Sequence, residues 1–190
     1  MLRLFVACDI EDPGVIERLV GFQRSVLWGF DRLKLVEPEN LHFTLAFLGE
    51  QRESELEKIL HTLSKVEPVG GEVEVRGVSA FPSTSNPRVV FAEVTRGAEI
   101  LTENAERVRE ALDGASVWYD RAPFKPHLTL ARLKSADRKL ASTLMLHMDD
   151  EFGVTPVSGL RLKKSELRPS GPVYTTIQEY RVKGEKNGSG

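Results

Sequence analysis

Apolar residues recur with two different periods along the 190-residue chain, and the two periods separate predicted strands from predicted helices. Short apolar or alternating runs predict strands, because successive side chains of a strand point to opposite faces. Apolar residues three and four positions apart predict helices. Strands are predicted at 2–10, 34–36, 41–48, 72–78, 88–94, 127–133, 157–167 and 173–182, and helices at about 13–26, 54–63, 98–112 and 136–148.

Local signals refine the ends of these elements. Asp12 before Pro13 predicts a helix start, since Asp can accept from the first turn and Pro fits the first helical position. Ser54 followed by Glu57 has the spacing of a capping box. Residues 80–87, rich in Ser and Pro, are predicted to form a loop.

The order of elements predicts an α+β fold with an α/β-like order. Helices fall between strands, yet several strands follow one another closely enough to pair as hairpins. We therefore expect mostly antiparallel sheets, built as two similar lobes. The length suits one domain, so residues 1–185 are expected to form a single two-lobed domain and 186–190 a flexible tail.

Composition is that of an ordinary globular protein, with 41% apolar and 28% charged residues. No apolar run approaches the roughly 18 residues of a membrane span, and the opening residues lack a signal-peptide pattern, so a cytoplasmic location is expected. A single cysteine excludes an intramolecular disulfide and a Cys-rich zinc site. Net charge is −2, but residues 121–168 hold ten basic and five acidic residues. This segment either attracts phosphate or forms solvated faces.

A pentapeptide pattern, His-x-Thr-Leu-Ala, occurs at 42–46 and again at 127–131. At ordinary residue frequencies, a given His is followed by Thr and Leu at these spacings less than about once in 100. Two of only four histidines have this context. The pattern is therefore an internal repeat, which is consistent with two similar lobes.

Strand alternation predicts which residues of each repeat share a face. His42 and Thr44 fall on one face, with Phe43, Leu45 and Phe47 on the other. In the second copy His127 and Thr129 point one way. A regular strand would turn Arg132 away from them, and a β-bulge or a twist of the strand would be needed to bring it back.

Paired histidines suit acid–base chemistry at phosphorus. Imidazole titrates near neutrality, so one ring can be a neutral base while its partner is a protonated acid. A Thr hydroxyl on the same face can donate to non-bridging phosphate oxygens. Zinc bound by the histidines is the rival chemistry, but the close ligand spacing of zinc sites is missing.

These residues resemble the 2H phosphoesterase superfamily. The nearest likeness is to its RNA 2′,3′-cyclic phosphodiesterase branch, historically called 2′-5′ RNA ligase. The likeness is carried by HFTLAFLG and HLTLAR, by Lys125-Pro126 before the second His, by Phe81-Pro82, and by Gly171-Pro172-x-Tyr174. It implies a bilobed, pseudo-twofold fold with two mostly antiparallel sheets lining a central cleft and helices outside.

The same resemblance implies metal-independent hydrolysis of 2′,3′-cyclic phosphate ends to 2′-phosphomonoesters, without a cofactor, on RNA or oligonucleotides. In this hypothesis His127 is the base for water and His42 the acid for the 3′ oxygen, and the pseudo-symmetry leaves the reverse open. Ligase activity in the same site and a non-catalytic RNA- or nucleotide-binding module are the alternatives. A monomer is expected.

Six further residues are predicted to bind the substrate. Thr44, Thr129 and Arg132 would hold the phosphate, and Lys125 is either a phosphate ligand or a solvated loop residue. Phe81 and Tyr174 would stack on a base, as single-stranded RNA is often bound, or pack in the core.

Overall fold

The computed structural model describes residues 1–135, 137–169 and 171–184. Nine strands and four α-helices alternate along these residues. They are β1 (Leu2–Asp9), α1 (Pro13–Phe22), β2 (Leu33–Leu35), β3 (His42–Gln51), α2 (Leu56–Leu63), β4 (Gly71–Ser83), β5 (Asn86–Val94), α3 (Ala98–Gly114), β6 (His127–Leu133), α4 (Arg138–Met145), β7 (Glu151–Val157), β8 (Gly159–Arg168) and β9 (Gly171–Arg181). The predicted tail, 186–190, lies outside the described residues.

Two antiparallel sheets confirm the predicted fold class. The first sheet has the strand order β3-β1-β8-β9, and the second has the order β2-β6-β5-β4-β7. Each sheet therefore contains one copy of the repeated motif, on β3 or on β6. In each sheet the motif strand pairs with one central strand, β1 in the first and β5 in the second.

The described strands differ from the predicted ones at two places. Strand β7 was not predicted, because it contains Gly153 and Pro156, and glycine and proline are rare within strands. Strand β7 tolerates them because it lies at the edge of its sheet. Strands β4 and β5 form a hairpin that extends to Ser83 and Asn86, where a loop was predicted for residues 80–87.

The helix predictions hold in position but not in every detail. Asp12 caps α1 as predicted, accepting a hydrogen bond from the Val15 N–H at 2.9 Å. The capping box at Ser54 was wrong, since a 3₁₀ turn over Glu53–Glu55 precedes α2 and no side chain caps it. Helix α4 is shorter than predicted. No helix of the described residues has the length and apolarity needed to cross a bilayer.

The core lies between the sheets and the helices. Helix α3 packs beside β3, α1 beside β7, and α4 beside β4 and β5. Strand β1 is buried along most of its length, which explains the continuous apolar run from Leu4 to Cys8. Helix α3 places Leu101, Val108 and Leu112, all fully buried, against this core.

Both motif strands contain a β-bulge at the same point of the repeat. On β6, Val90 pairs with Ala131 and the next residue, Phe91, pairs with Thr129, so Leu130 is the extra residue. On β3 the register likewise skips Leu45. In each strand the Leu and Ala of the motif are therefore both buried, and the side chains beyond them change face.

A buried glutamine supports the bulge on β6. Gln23, only 3% exposed, lies in a π-helical turn after α1. Its Nε2 donates to the carbonyl of Leu130 at 2.9 Å and to that of Val36 at 2.8 Å. One side chain thus ties the bulged strand to the segment that follows β2.

Replacing Gln23 with Met should lower the free energy of unfolding by about 1–3 kcal/mol, because the part-buried Val36 carbonyl would lose this donor and the Leu130 carbonyl would keep only the Val36 N–H. Urea denaturation would measure the loss. Gln178→Met is the matched control, since Gln178 is exposed on β9. Equal midpoints for the two variants would show that Gln23 does not stabilise the bulge.

Candidate active site

A cleft of about 600 Å³ opens between the two sheets. Six of the eight predicted site residues line it: His42, Thr44, His127, Thr129, Arg132 and Tyr174. Both copies of the motif thus face the same space although 85 positions separate them in the chain. The structure does not place Phe81 and Lys125 among the lining residues.

The ring of His42 is fixed on both of its nitrogens. A backbone carbonyl can only accept, so Nδ1–H donates to the Asn40 carbonyl at 2.7 Å. This leaves Nε2 without a proton in the neutral ring, and it accepts from the Thr44 hydroxyl at 2.8 Å. Phe5 and Tyr174 pack against the imidazole at centroid distances of 5.0 and 5.5 Å.

His127 is held in the same way. Its Nδ1–H donates to the Lys125 carbonyl at 2.6 Å, again two residues earlier in the chain. Phe81 and Phe91 contact the ring edge to face at 5.0 and 5.4 Å. The Thr129 hydroxyl makes no hydrogen bond within the described part of the chain. It lines the cleft and is available to a ligand.

Phe81 and Lys125 therefore contact His127 rather than the cleft. Phe81 stacks on Phe91 at 4.2 Å, and the Lys125 ammonium lies 5.4 Å from the centroid of the Phe81 ring. The same ammonium is 3.9 Å from the Glu93 carboxylate. The two residues support the imidazole, and their predicted contact with substrate stays a prediction.

The bulges bring one further side chain of each strand into the cleft. Beyond the bulge on β6, Arg132 lies on the same face as His127 and Thr129, which resolves the conflict with strand alternation. At the corresponding place on β3, Phe47 lines the cleft, although regular alternation turned it away. The guanidinium of Arg3 lies over the Phe47 ring at 4.9 Å.

A charged pair lies next to His42. Asp9 is the cross-strand partner of His42, and its carboxylate is 2.6 Å from the ammonium of Lys163. Lys163 is only 8% exposed, so this pair is largely shielded from water. Arg161 also contacts Asp9, at 3.3 Å. Glu93 has the equivalent cross-strand position beside His127.

Burial lowers the pKa of both imidazoles. The pKa of His42 falls to about 4, mainly by desolvation; the Asn40 carbonyl and Asp9 oppose this fall, while Lys163 and His127 add to it. The pKa of His127 is also lowered, again mainly by desolvation, with Arg132 and Lys125 contributing. At neutral pH both rings are therefore mostly neutral in the protein by itself.

Sequence reasoning missed Asp9, Lys163, Asn40 and Phe47. One signal could have located Asp9 and Glu93, since each lies near the end of a strand that runs beside a motif strand. The position of Phe47 follows from aligning the two copies of the motif. Phe47 directly follows His-x-Thr-Leu-Ala in the first copy, as Arg132 does in the second. Lys163 carried no local signal.

The histidines do not form a metal cluster with other side chains. Across residues 1–135, 137–169 and 171–184, no three His, Cys, Asp or Glu residues are arranged to hold a metal ion. The hydrogen-bond partners of the His42 ring are a backbone carbonyl and a threonine hydroxyl.

Comparison with known proteins agrees with the resemblance that the repeated motif carries. A family model described as LigT like phosphoesterase matches residues 10–91 and 94–174, and each segment contains one motif. The RNA 2′,3′-cyclic phosphodiesterase of Archaeoglobus fulgidus is 38% identical over 179 residues, covering 94% of this chain and 99% of that protein. The Thermus thermophilus protein of the same name is 37% identical over 193 residues, covering 97% and 92%.

Solved structures share the fold. A crystal structure from Thermus thermophilus aligns with a TM-score of 0.79 at 35% identity and covers 97% of this chain and 100% of its own. Escherichia coli LigT complexed with 3′-AMP also aligns with a TM-score of 0.79, covering 96% and 98%. The latter is only 21% identical, so it supports the fold alone.

Replacing Lys163 with Met should raise the pKa of His42. The ammonium disfavours the imidazolium, and its removal leaves the Asp9 carboxylate, which favours it. Titration of the His42 Cε1–H signal by NMR measures this pKa without an activity assay. The titratable groups close to the His42 ring are Asp9, Lys163, Tyr174 and His127.

Two further variants control for indirect effects. Asp9→Asn should move the pKa of His42 downward, and the double variant should fall between the single ones. If Lys163→Met and Asp9→Asn moved the pKa in the same direction, loss of packing and not charge would be its cause.

Proposed function

Because this chain belongs to the LigT like phosphoesterase family, we propose that it hydrolyses RNA or oligonucleotide 2′,3′-cyclic phosphate ends to 2′-phosphomonoesters. One observation carries this proposal. Two imidazoles from different sheets line one cleft, and each has Nδ1 bound to a backbone carbonyl. The names of the relatives agree with this substrate class.

In the proposed reaction both proton transfers are made by histidine. One imidazole takes a proton from water as the water oxygen attacks phosphorus. The bond from phosphorus to the 3′ oxygen breaks, and the second imidazole protonates that oxygen. The product keeps its phosphate on the 2′ oxygen, and no metal ion or cofactor enters either step. Each proton transfer contributes about 10²–10⁴ in rate.

The remaining cleft residues bind the phosphate. The Thr129 hydroxyl makes no hydrogen bond to the described residues, and Thr44 can turn its hydroxyl from His42 to a non-bridging oxygen. Arg132 supplies a guanidinium fork, which suits the charge that builds on the phosphate in the transition state. Tyr174 lines the cleft beside His42 and offers an aromatic face to a base.

The two histidines can divide the roles in two ways. The hypothesis from the sequence makes His127 the base and His42 the acid. The pKa order in the protein by itself favours the reverse, since His42 has the more strongly desolvated ring. A bound phosphate anion raises both pKa values, so the substrate itself enters the assignment.

Replacing either histidine with Ala should reduce hydrolysis of a 2′,3′-cyclic nucleotide by about 10²–10⁴-fold, since each replacement removes one proton transfer. The wild-type reaction should persist in EDTA and show a bell-shaped dependence on pH. Product analysis by ³¹P NMR would identify the 2′-phosphomonoester.

His61→Ala is the matched control, because His61 is exposed on α2, away from the cleft. Near-full activity in either His42→Ala or His127→Ala would refute the two-histidine mechanism. Nucleotide binding without turnover in the wild type would identify a binding module instead. Joined 2′-5′ strands from cyclic-phosphate and 5′-hydroxyl ends would reveal the ligase direction.

A substrate with sulfur in place of the 3′ oxygen should separate acid from base. A thiol has a pKa near 8.5 and departs as a thiolate without a proton, so it needs no acid. If His42 is the acid, His42→Ala should recover most of its rate on this substrate while His127→Ala stays inactive. The opposite pattern would assign the acid role to His127.

A further inference from the structure

Two cations lie directly opposite each other at the edge of the cleft. Lys34 on β2 is the cross-strand partner of Arg132 on β6, so their side chains leave the sheet on the same face. Both side chains are exposed. Arg132 lines the cleft, whereas Lys34 lies one strand further out, about 5 Å away at the backbone.

Among the described residues, this pair has no counter-ion. Like charges directly opposite on neighbouring strands are destabilising. Elsewhere near the cleft, Lys163, Arg161 and Lys125 each lie within 4 Å of a carboxylate. Within the described ranges, neither Lys34 nor Arg132 has such a partner or a side-chain hydrogen bond. An anionic ligand would remove the repulsion.

Lys34 lies close to the opening of the cleft. Val36, two residues along the same segment, lines the cleft. The Lys34 ammonium extends towards the first residue of β9 in the other sheet, where a Cβ built on Gly171 would lie 3.6 Å from Nζ. Pro172 and Tyr174, which follow Gly171, line the cleft. Lys34 therefore lies beside the opening, between the two sheets.

We propose that Lys34 binds the internucleotide phosphate that precedes the terminal nucleotide of an RNA substrate, next to the Arg132 guanidinium that holds the cyclic phosphate. The inference rests on the proposed function, which places the cyclic phosphate between His42 and His127. Lys34 is not among the lining residues and lies outside that position. A phosphodiester one nucleotide upstream carries one negative charge and no proton at neutral pH, which matches an exposed ammonium. The cleft would thus favour oligonucleotide ends over mononucleotides.

The test compares a dinucleotide and a mononucleotide that end in the same 2′,3′-cyclic phosphate. Lys34→Gln should lower kcat/KM for the dinucleotide by about threefold to tenfold, as expected for an exposed charge-assisted contact. It should leave kcat/KM for the mononucleotide unchanged, because only the dinucleotide has the upstream phosphate. Lys34→Arg should retain the preference.

Salt dependence gives a second readout. One lost phosphate contact should make the slope of log affinity against log salt shallower by about 0.7 for a single strand. Calorimetric binding of the 2′-phosphorylated dinucleotide and mononucleotide products measures this slope without turnover. Lys65→Gln is the charge-matched control, since Lys65 is exposed after α2 and does not line the cleft.

The outcomes separate the two proposals. If Lys34→Gln affected both nucleotides equally, or neither, the upstream subsite would be wrong while the cyclic phosphodiesterase activity could stand. If the wild type hydrolysed neither compound, the proposed function would fail. The binding comparison would then decide the subsite: loss of affinity confined to the dinucleotide would support it, and equal affinities in wild type and variant would overturn it.

Discussion

The proposed chemistry of the cleft depends on one hydrogen bond, made twice. In each motif the imidazole Nδ1–H donates to the carbonyl two residues earlier, at 2.7 Å for His42 and 2.6 Å for His127. This bond selects the tautomer and leaves Nε2 without a proton in the neutral ring. It also explains why each motif begins its strand, since the preceding segment must turn its carbonyl back towards the ring. Asn40 is itself anchored, because its side chain donates to the Pro172 carbonyl at 2.9 Å.

The repeat could be read from the sequence, but the bulges could not. Alternation assigned His42, Thr44, His127 and Thr129 to one surface correctly, because the strands are regular up to that point. Alternation failed at Arg132 and at Phe47, its counterpart on β3, because the extra residue of a bulge moves every later side chain to the opposite face. A bulge depends on partner strands and on tertiary hydrogen bonds such as those of Gln23, which the local pattern does not contain. Strand β7 was missed because its tolerance of Gly and Pro follows from its place at a sheet edge.

The two halves share a backbone plan but differ in chemistry. Beside His42 the cleft has a shielded Asp9–Lys163 pair and the aromatic Phe47. Beside His127 the corresponding places are occupied by Glu93, Phe81 and Arg132. The His42 half is therefore the more desolvated, and the His127 half the more exposed. A symmetric pair of imidazoles placed in unequal surroundings acquires unequal pKa values, which favours one ring as base and the other as acid.

In the proposed mechanism, these surroundings also make the reactive protonation state depend on the substrate. Desolvation lowers the pKa of both rings, and nearby cations lower it further, so the protein by itself holds two neutral imidazoles at pH 7. A mechanism with one base and one acid needs one proton more. The phosphate anion can provide the field that recruits this proton, because an opposite charge nearby favours the imidazolium. Substrate binding and protonation are then linked, and affinity for the anion should increase as the pH falls towards the pKa of the ring that takes up the proton.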